Sequence, residues 1–118
     1  MEANRMFLRA TAILVALAFS ASAVASPTGN AAAGKKKAGT CAACHGDGNK
    51  TLNDTYPKLA GQYPEYLSKA MHEYKSGKRK NAIMGAQAQT LSEQDIADLS
   101  AYFGSLNPQL HDLSGHAR

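Results

Sequence analysis

Three stretches of this chain place small or apolar side chains at the three- and four-residue spacing of a helix. The first runs from residue 31 to about residue 41 and follows Asn30, a residue suited to capping a helix N-terminus. The second begins near Pro64 and ends before Gly77, because proline is favourable at a first helical position and glycine just past a last one. The apolar face of this second helix consists of Leu67, Ala70, Met71 and Tyr74.

The third predicted helix begins at Ser92, where Asp95 three residues later indicates a capping box, and it ends at Asn107-Pro108. Its buried face is predicted to be Ile96, Leu99, Tyr102 and Phe103. Residues 50–62 and 78–90 show no sustained period and are predicted to be loops. No segment alternates in the manner of a strand, so the pattern predicts an all-α fold.

The N-terminus has the pattern of a secretory signal peptide. Arg5 and Arg9 precede an apolar run at residues 10–19, and Ala23-Val24-Ala25 supplies a cleavage signal before Ser26. A membrane anchor is the alternative, but the run is shorter than the roughly 20 apolar residues that span a bilayer. We therefore expect residues 1–25 to be removed and the remaining chain to be exported to the periplasm, without a membrane span.

Size and charge change when this leader is removed. The full chain of 118 residues has 13 Lys and Arg against 9 Asp and Glu, and losing Glu2, Arg5 and Arg9 leaves a net charge of +3. Residues 26–118 are about the length of one small domain, for which a hydrophobic core alone is marginal. We expect a single domain with a frayed tail at 107–118, and a bound group that supplements its core.

The motif richest in chemistry is Cys41-Ala42-Ala43-Cys44-His45, which contains both cysteines of the sequence. Cys-x-x-Cys-His is the signature of covalent c-type haem attachment. Thiols three positions apart lie on one side of a helical turn, so both can form thioethers with the haem vinyl groups. His45 follows where its imidazole can ligate the iron. We predict one haem c, attached through Cys41 and Cys44, with His45 as the proximal ligand.

Three other interpretations of the cysteine pair have weaker support from the sequence. A structural zinc site needs four ligands, and two thiols leave distant histidines to complete it. A thioredoxin-like redox pair needs a hydrophobic strand before the motif, and this flank is rich in alanine and glycine. A disulfide between Cys41 and Cys44 closes a loop too short to restrict the unfolded chain much.

The sixth coordination position of the iron decides what such a protein does. A filled position favours electron transfer, whereas an open one favours binding or activating small molecules. Past the leader the chain has two methionines, Met71 and Met84. Met71 lies on an apolar helix face and is expected to pack in the core, whereas Met84 lies in a predicted loop with little other hydrophobic content. We predict Met84 as the distal ligand, and the histidine alternatives are His72, His111 and His116.

Taken together, these segments resemble the class I cytochromes c, most closely the bacterial periplasmic kind found as one domain of the tandem c-four type. The matching segments are residues 31–34, 41–46, 56–61, 66–67, 77–79, 84 and 91–103. The resemblance implies an all-α fold in which the first and last helices cross over one haem. It places Gly34 close to Tyr102 or Phe103.

The same resemblance implies roles for individual residues. The carbonyl of Pro57 accepts the N–H of His45, Met84 is the distal ligand, and Arg79 lies near a haem propionate. The chain departs from the tandem proteins in having one Cys-x-x-Cys-His motif. It also has Gly85-Ala86-Gln87 after Met84, without the prolines often seen there in relatives.

The expected function is that of a periplasmic one-electron carrier, not an enzyme, in a respiratory or photosynthetic chain. One alternative is a haem subunit of a larger oxidoreductase, and another is an open-site haem sensor or peroxidase. We expect redox protein partners and no nucleic acid, with the protein a monomer or part of a complex. The cations Lys58, Lys78, Arg79 and Lys80 are candidates for a basic surface that steers an acidic partner, and scattered solubilising charges are the alternative.

Overall fold

The computed structural model describes residues 25–108, and these form five helices. They are α1 (Ala31–Lys37), α2 (Gly39–His45), α3 (Pro64–Lys75), α4 (Ala82–Gln89) and α5 (Glu93–Ser105). Residues 25–108 contain no strand, which confirms the predicted all-α fold. Within this range, no helix has both the length and the apolar character needed to cross a lipid bilayer. The predicted signal peptide, apart from Ala25, and residues 109–118 of the predicted tail lie outside the described residues.

The first predicted helix is in fact two helices separated at Ala38. Asn30 caps α1 as expected, since its side chain accepts the Ala33 N–H at 2.9 Å. Ala38 keeps a right-handed conformation, with φ −70° and ψ −4°, so the chain passes from α1 into α2 without a loop. Helix α2 ends at Gly46, whose φ of 58° lies in the left-handed region that favours glycine.

Helices α1 and α5 cross at Gly34. A Cβ atom at this position would lie 2.0 Å from the carbonyl oxygen of Asp98 and 2.7 Å from the Cβ of Tyr102. Only glycine permits this approach, because any side chain would force the two helices apart. The crossing confirms the contact between Gly34 and Tyr102 that the resemblance implied.

Asp98 fastens the same two helices through a buried carboxylate. This residue is 2% exposed, and its Oδ1 accepts the backbone N–H of Asn30 at 2.8 Å and Nε2 of Gln94 at 2.8 Å. Its Oδ2 accepts Nζ of Lys37 at 2.6 Å, and the same Nζ lies 2.8 Å from Oδ1 of Asp95. The Lys37 ammonium is the main reason that the pKa of Asp98 is lowered. Both ends of α1 are therefore tied to α5.

The hydrophobic core joins α3 to α5 and to the end of α1. Its buried members are Ala38, Leu67, Leu99 and Phe103. Met71 is partly buried against this cluster, as predicted for a core residue. Ile96 is fully buried, as the predicted apolar face of the last helix required. Helix α5 begins with the predicted capping box, since Oγ of Ser92 accepts the Asp95 N–H and the Asp95 carboxylate accepts the Ser92 N–H.

The prediction of a loop at 78–90 is wrong for residues 82–89, which form α4. Asn81 caps this helix through its side-chain oxygen, which accepts the Met84 N–H at 2.9 Å. Alanine and glutamine, which favour helices, supply most of α4. Its apolar side chains are spread around the helix, so the sequence carries almost no hydrophobic period there, and Ala88 is its one buried residue.

We expect Gly34→Ala to destabilise the haem-loaded protein by about 1–3 kcal/mol, because overpacking a helix crossing displaces backbone. Urea unfolding followed by circular dichroism measures this loss. Gly39→Ala is the matched control, since no atom lies within 4 Å of its added Cβ and its φ is not positive. The control is expected to be neutral or to stabilise by up to about 1 kcal/mol. Equal effects in the two variants would contradict the close crossing.

Candidate functional site

The Cys-x-x-Cys-His motif forms the last five residues of α2. Cys41, Cys44 and His45 lie on the same side of this short helix, at spacings of three and four residues. Both cysteines are free thiols and partly buried, and Cys41 packs against the core. Burial raises the pKa of the Cys41 thiol. The Cys41 sulfur is therefore held next to apolar surface, with the His45 imidazole one helical turn further along.

His45 is buried, with 6% of its surface exposed, and its ring is fixed by two contacts. Its Nδ1 lies 2.9 Å from the carbonyl oxygen of Pro57. Because a carbonyl only accepts hydrogen bonds, Nδ1 carries the proton and Nε2 keeps its lone pair. Tyr56 packs against the imidazole in an edge arrangement, with ring centroids 6.1 Å apart. Among the described residues nothing hydrogen-bonds to Nε2, so this nitrogen is available to a metal.

Backbone hydrogen bonds hold the loop that carries Pro57. The Gly48 N–H donates to the His45 carbonyl at 3.0 Å, and the Gly48 carbonyl accepts from Leu59 N–H at 2.9 Å. Further along, the Gly61 N–H donates to the Phe103 carbonyl at 3.0 Å, which attaches the loop to α5. The segment has no helix of its own, yet its backbone is fixed on both sides of Pro57.

Met84 lies in the first turn of α4, half-buried, and it is not among the side chains packed against the described core. Its neighbour Ile83 is 53% exposed, so this end of α4 faces outward on one side. Met71, by contrast, packs against the core cluster. The two methionines therefore differ in surroundings as the sequence suggested, although Met84 is carried by a helix and not by a loop.

The histidine alternatives differ in what the structure shows of them. His72 is exposed on α3, where its Nδ1 lies 2.8 Å from the Ser68 carbonyl oxygen and its Nε2 lies 2.7 Å from Oε2 of Glu93. Both ring nitrogens already have partners, so His72 is a poor candidate for an iron ligand. His111 and His116 lie outside the described residues.

The basic triplet at 78–80 divides into two kinds of side chain. Lys78 and Lys80 are exposed, whereas Arg79 is half-buried over two tyrosines. Its guanidinium carbon lies 5.9 Å from the Tyr66 ring centroid and 5.2 Å from that of Tyr74. The tyrosines thus fix Arg79, and the lysines remain free to act as surface charges.

Two features of the site escaped the sequence analysis. Tyr56 was assigned only to an ordered loop, and its contact with His45 depends on how residues 46–56 fold back on α2. Asn81 was overlooked as a helix cap, although an Asn directly before a run of helix-forming residues is a usable signal. Both residues act by positioning a neighbour.

The donor set can be compared with the groups that thiols and imidazoles bind in proteins. Two thiols beside an imidazole with a free Nε2 match the thioethers and nitrogen ligand of haem c. No group of three or more His, Cys, Asp or Glu side chains within 25–108 is arranged to hold a metal ion directly. The residues therefore fit a covalent haem better than a protein-bound zinc ion.

Comparison with known proteins agrees with this geometry. Residues 31–107 match the family model described as Cytochrome c. The chain is 48% identical over 80 residues to cytochrome c-554(548) of Halomonas halodenitrificans, which covers 65% of this chain and 96% of that protein. It is 36% identical over 73 residues to the cytochrome subunit of sulfide dehydrogenase of Chlorobaculum tepidum, covering 61% and 64% of the two chains.

Among solved structures, the fold is similar to that of reduced cytochrome c4 from Pseudomonas stutzeri, with a TM-score of 0.65 and 36% sequence identity. The match covers 70% of this chain and 48% of that chain. The present chain thus spans most of one relative and about half of another.

Proposed function

Because the chain belongs to the cytochrome c family, we propose that it is a one-electron carrier with one covalently attached haem. Cys41 and Cys44 supply the thioether sulfurs, and Nε2 of His45 is the proximal iron ligand. The observation that supports this most strongly is the 2.9 Å contact between Nδ1 of His45 and the Pro57 carbonyl oxygen. This contact fixes the tautomer and orientation of the imidazole before any iron is bound. The bound haem iron supplies the change of oxidation state.

We assign Met84 as the distal ligand. Its half-buried position on α4 and its separation from the core cluster leave its thioether free for this role. A methionine sulfur favours ferrous over ferric iron relative to imidazole, so it raises the reduction potential. With His45 and Met84 in place no coordination position remains for a substrate. The chain thus carries electrons and has no catalytic residues of its own.

The sequence also supports proposals for the compartment, the domain organisation and the number of haems. We propose that residues 1–25 direct export to the periplasm and are then removed. Residues 26–118 are assigned to one domain. The single Cys-x-x-Cys-His motif supports one haem in this chain.

We propose that the partners are redox proteins with acidic surfaces. Lys58, Lys78 and Lys80 are exposed, and Arg79 is fixed beside two of them. Such charges steer an acidic partner at a distance and make association faster at low salt. Contact between carriers of this kind is brief and uses a small interface.

A second candidate is a haem subunit of a larger oxidoreductase. The similarity to the cytochrome subunit of a sulfide dehydrogenase supports this role, because that protein's name places it in an enzyme complex. The site is the same in both cases and only the partner differs. Native mass measured on protein from its own cell distinguishes them, since a free carrier elutes as a small monomer and a subunit elutes with its partner.

The test of the site is Met84→Ala in protein matured in a periplasm. We expect the ferric wild type to show the sulfur-to-iron charge-transfer band, and the variant to lose it while keeping its covalent haem. Met71→Leu is the matched control, because it replaces the core methionine with a side chain of similar volume and should retain the band. A band that is absent from the wild type, or that survives Met84→Ala, would show that another residue is the distal ligand.

A further inference from the structure

The position of helix α4, which carries Met84, depends on a small number of contacts in the described part of the chain. Among the five helices it packs only on α3. Its one buried side chain is Ala88, which contributes little apolar area, and Ile83 faces solvent. Burial of a single alanine stabilises the position of α4 weakly. Polar contacts at the end of the helix therefore matter to where Met84 lies.

Such contacts occur where α3 ends beside the connection between α4 and α5. Nε2 of Gln89, the last residue of α4, donates to the carbonyl of Lys75 at 2.5 Å. The Lys75 ammonium in turn donates to the Leu91 carbonyl. These bonds hold the C-terminal end of α4 and the segment after it against the last turn of α3.

The third contact in this group is titratable. Both ring nitrogens of His72 face oxygen acceptors, the Ser68 carbonyl at 2.8 Å and Oε2 of Glu93 at 2.7 Å. Only an imidazolium has two N–H donors, and a neutral ring keeps one N–H for these two acceptors. Oγ of Ser68, 3.4 Å from Nδ1, can then pair with the nitrogen that has lost its proton, and the contact with Glu93 loses its ionic character. The Glu93 bond joins α3 to the first residue of α5, four residues beyond the end of α4.

The charged groups around His72 favour its protonated form. The hydrogen bond to Glu93 is the main cause of its raised pKa, and the nearby Lys75 opposes it weakly. Helix α4 has no charged residue. On α5, Asp95 and Asp98 are bound to Lys37. The other charges on α3 are Glu65, Lys69 and Glu73, and Lys69 pairs with Glu73.

We propose that His72 and Glu93 form a pH-dependent clamp that holds α4 in place and thereby strengthens ligation of the iron by Met84. The inference rests on the proposed function, since it requires Met84 to be the distal ligand. His72 acts as a positioning residue and does not touch the haem ligands. Because the folded protein favours the protonated ring, the clamp is complete below the ordinary histidine pKa of about 6.5. It weakens as the pH rises through the higher pKa of folded His72.

The test is displacement of Met84 by free imidazole in the ferric, haem-loaded protein, followed by loss of the charge-transfer band. Affinity for imidazole is measured at pH 5.5 and pH 8.5 for the wild type, His72→Gln and Glu93→Gln. Glu65→Gln is the control, since Glu65 on α3 is an exposed carboxylate like Glu93 but has no hydrogen bond to His72. Dividing each variant's affinity by the wild-type value at the same pH cancels the protonation of imidazole itself.

We expect His72→Gln to bind imidazole about 2–5 times more tightly than the wild type at pH 5.5, the range of an exposed ion pair. At pH 8.5 the ratio should be smaller than at pH 5.5, because fewer His72 rings are charged there, and Glu93→Gln should behave in the same way. Glu65→Gln should give a ratio near one at both values. A purely structural role would give the same increase at both pH values, and that result, or no increase at all, would overturn the clamp.

Failure of the proposed function has a separate signature. A wild type without the charge-transfer band at pH 5.5 would contradict Met84 as ligand, and the clamp with it. A wild type with the band but a His72→Gln ratio of one at pH 5.5 would overturn the clamp alone. Glu93→Gln changes the opposite partner, so the test does not depend on the yield of a single variant.

Discussion

Helices α1 and α5 approach so closely at Gly34 that a methyl group there would overlap the carbonyl of Asp98. The buried Asp98 carboxylate then binds Asn30 before α1 and Lys37 at its end. Because α2 continues from α1 through Ala38 with no loop between them, fixing α1 on α5 also fixes α2. The position of the Cys-x-x-Cys-His motif thus depends on the crossing of α1 and α5 at Gly34, which lies before the motif in the chain.

The two sides of the proposed haem site are built differently. On the His45 side, the Pro57 loop is bonded to α2 through Gly48 and to α5 through Gly61, and Pro57 itself orients the imidazole. On the Met84 side, α4 is attached to α3 alone, through one buried alanine and polar contacts at its end. The proximal side therefore holds His45 in position before a haem binds. On the distal side, the attachment of α4 is the part that a change of pH weakens.

Sequence reasoning succeeded where the signal was local. Helix α3 has an apolar face between Pro64 and Gly77, and α5 has an apolar face that follows a capping box, so local signals predicted both helices. It failed for α4, in which Ala88 is the only fully buried residue and the apolar residues follow no hydrophobic period that would distinguish the helix from a loop. The contact between His72 and Glu93 joins residues 21 apart and depends on how α3 packs against α5. The acceptor role of Pro57 was expected only from the family resemblance, since no spacing rule links it to His45.

In the proposed function, His45 and Met84 together fill the iron coordination, so that this member of the cytochrome c family transfers electrons and binds no substrate at the metal. Exposure of the ferrous protein to carbon monoxide at neutral pH is the sharpest test of this role. We expect a low-spin spectrum that carbon monoxide leaves unchanged. Rapid conversion to a carbon monoxide adduct would show an open iron site and contradict it.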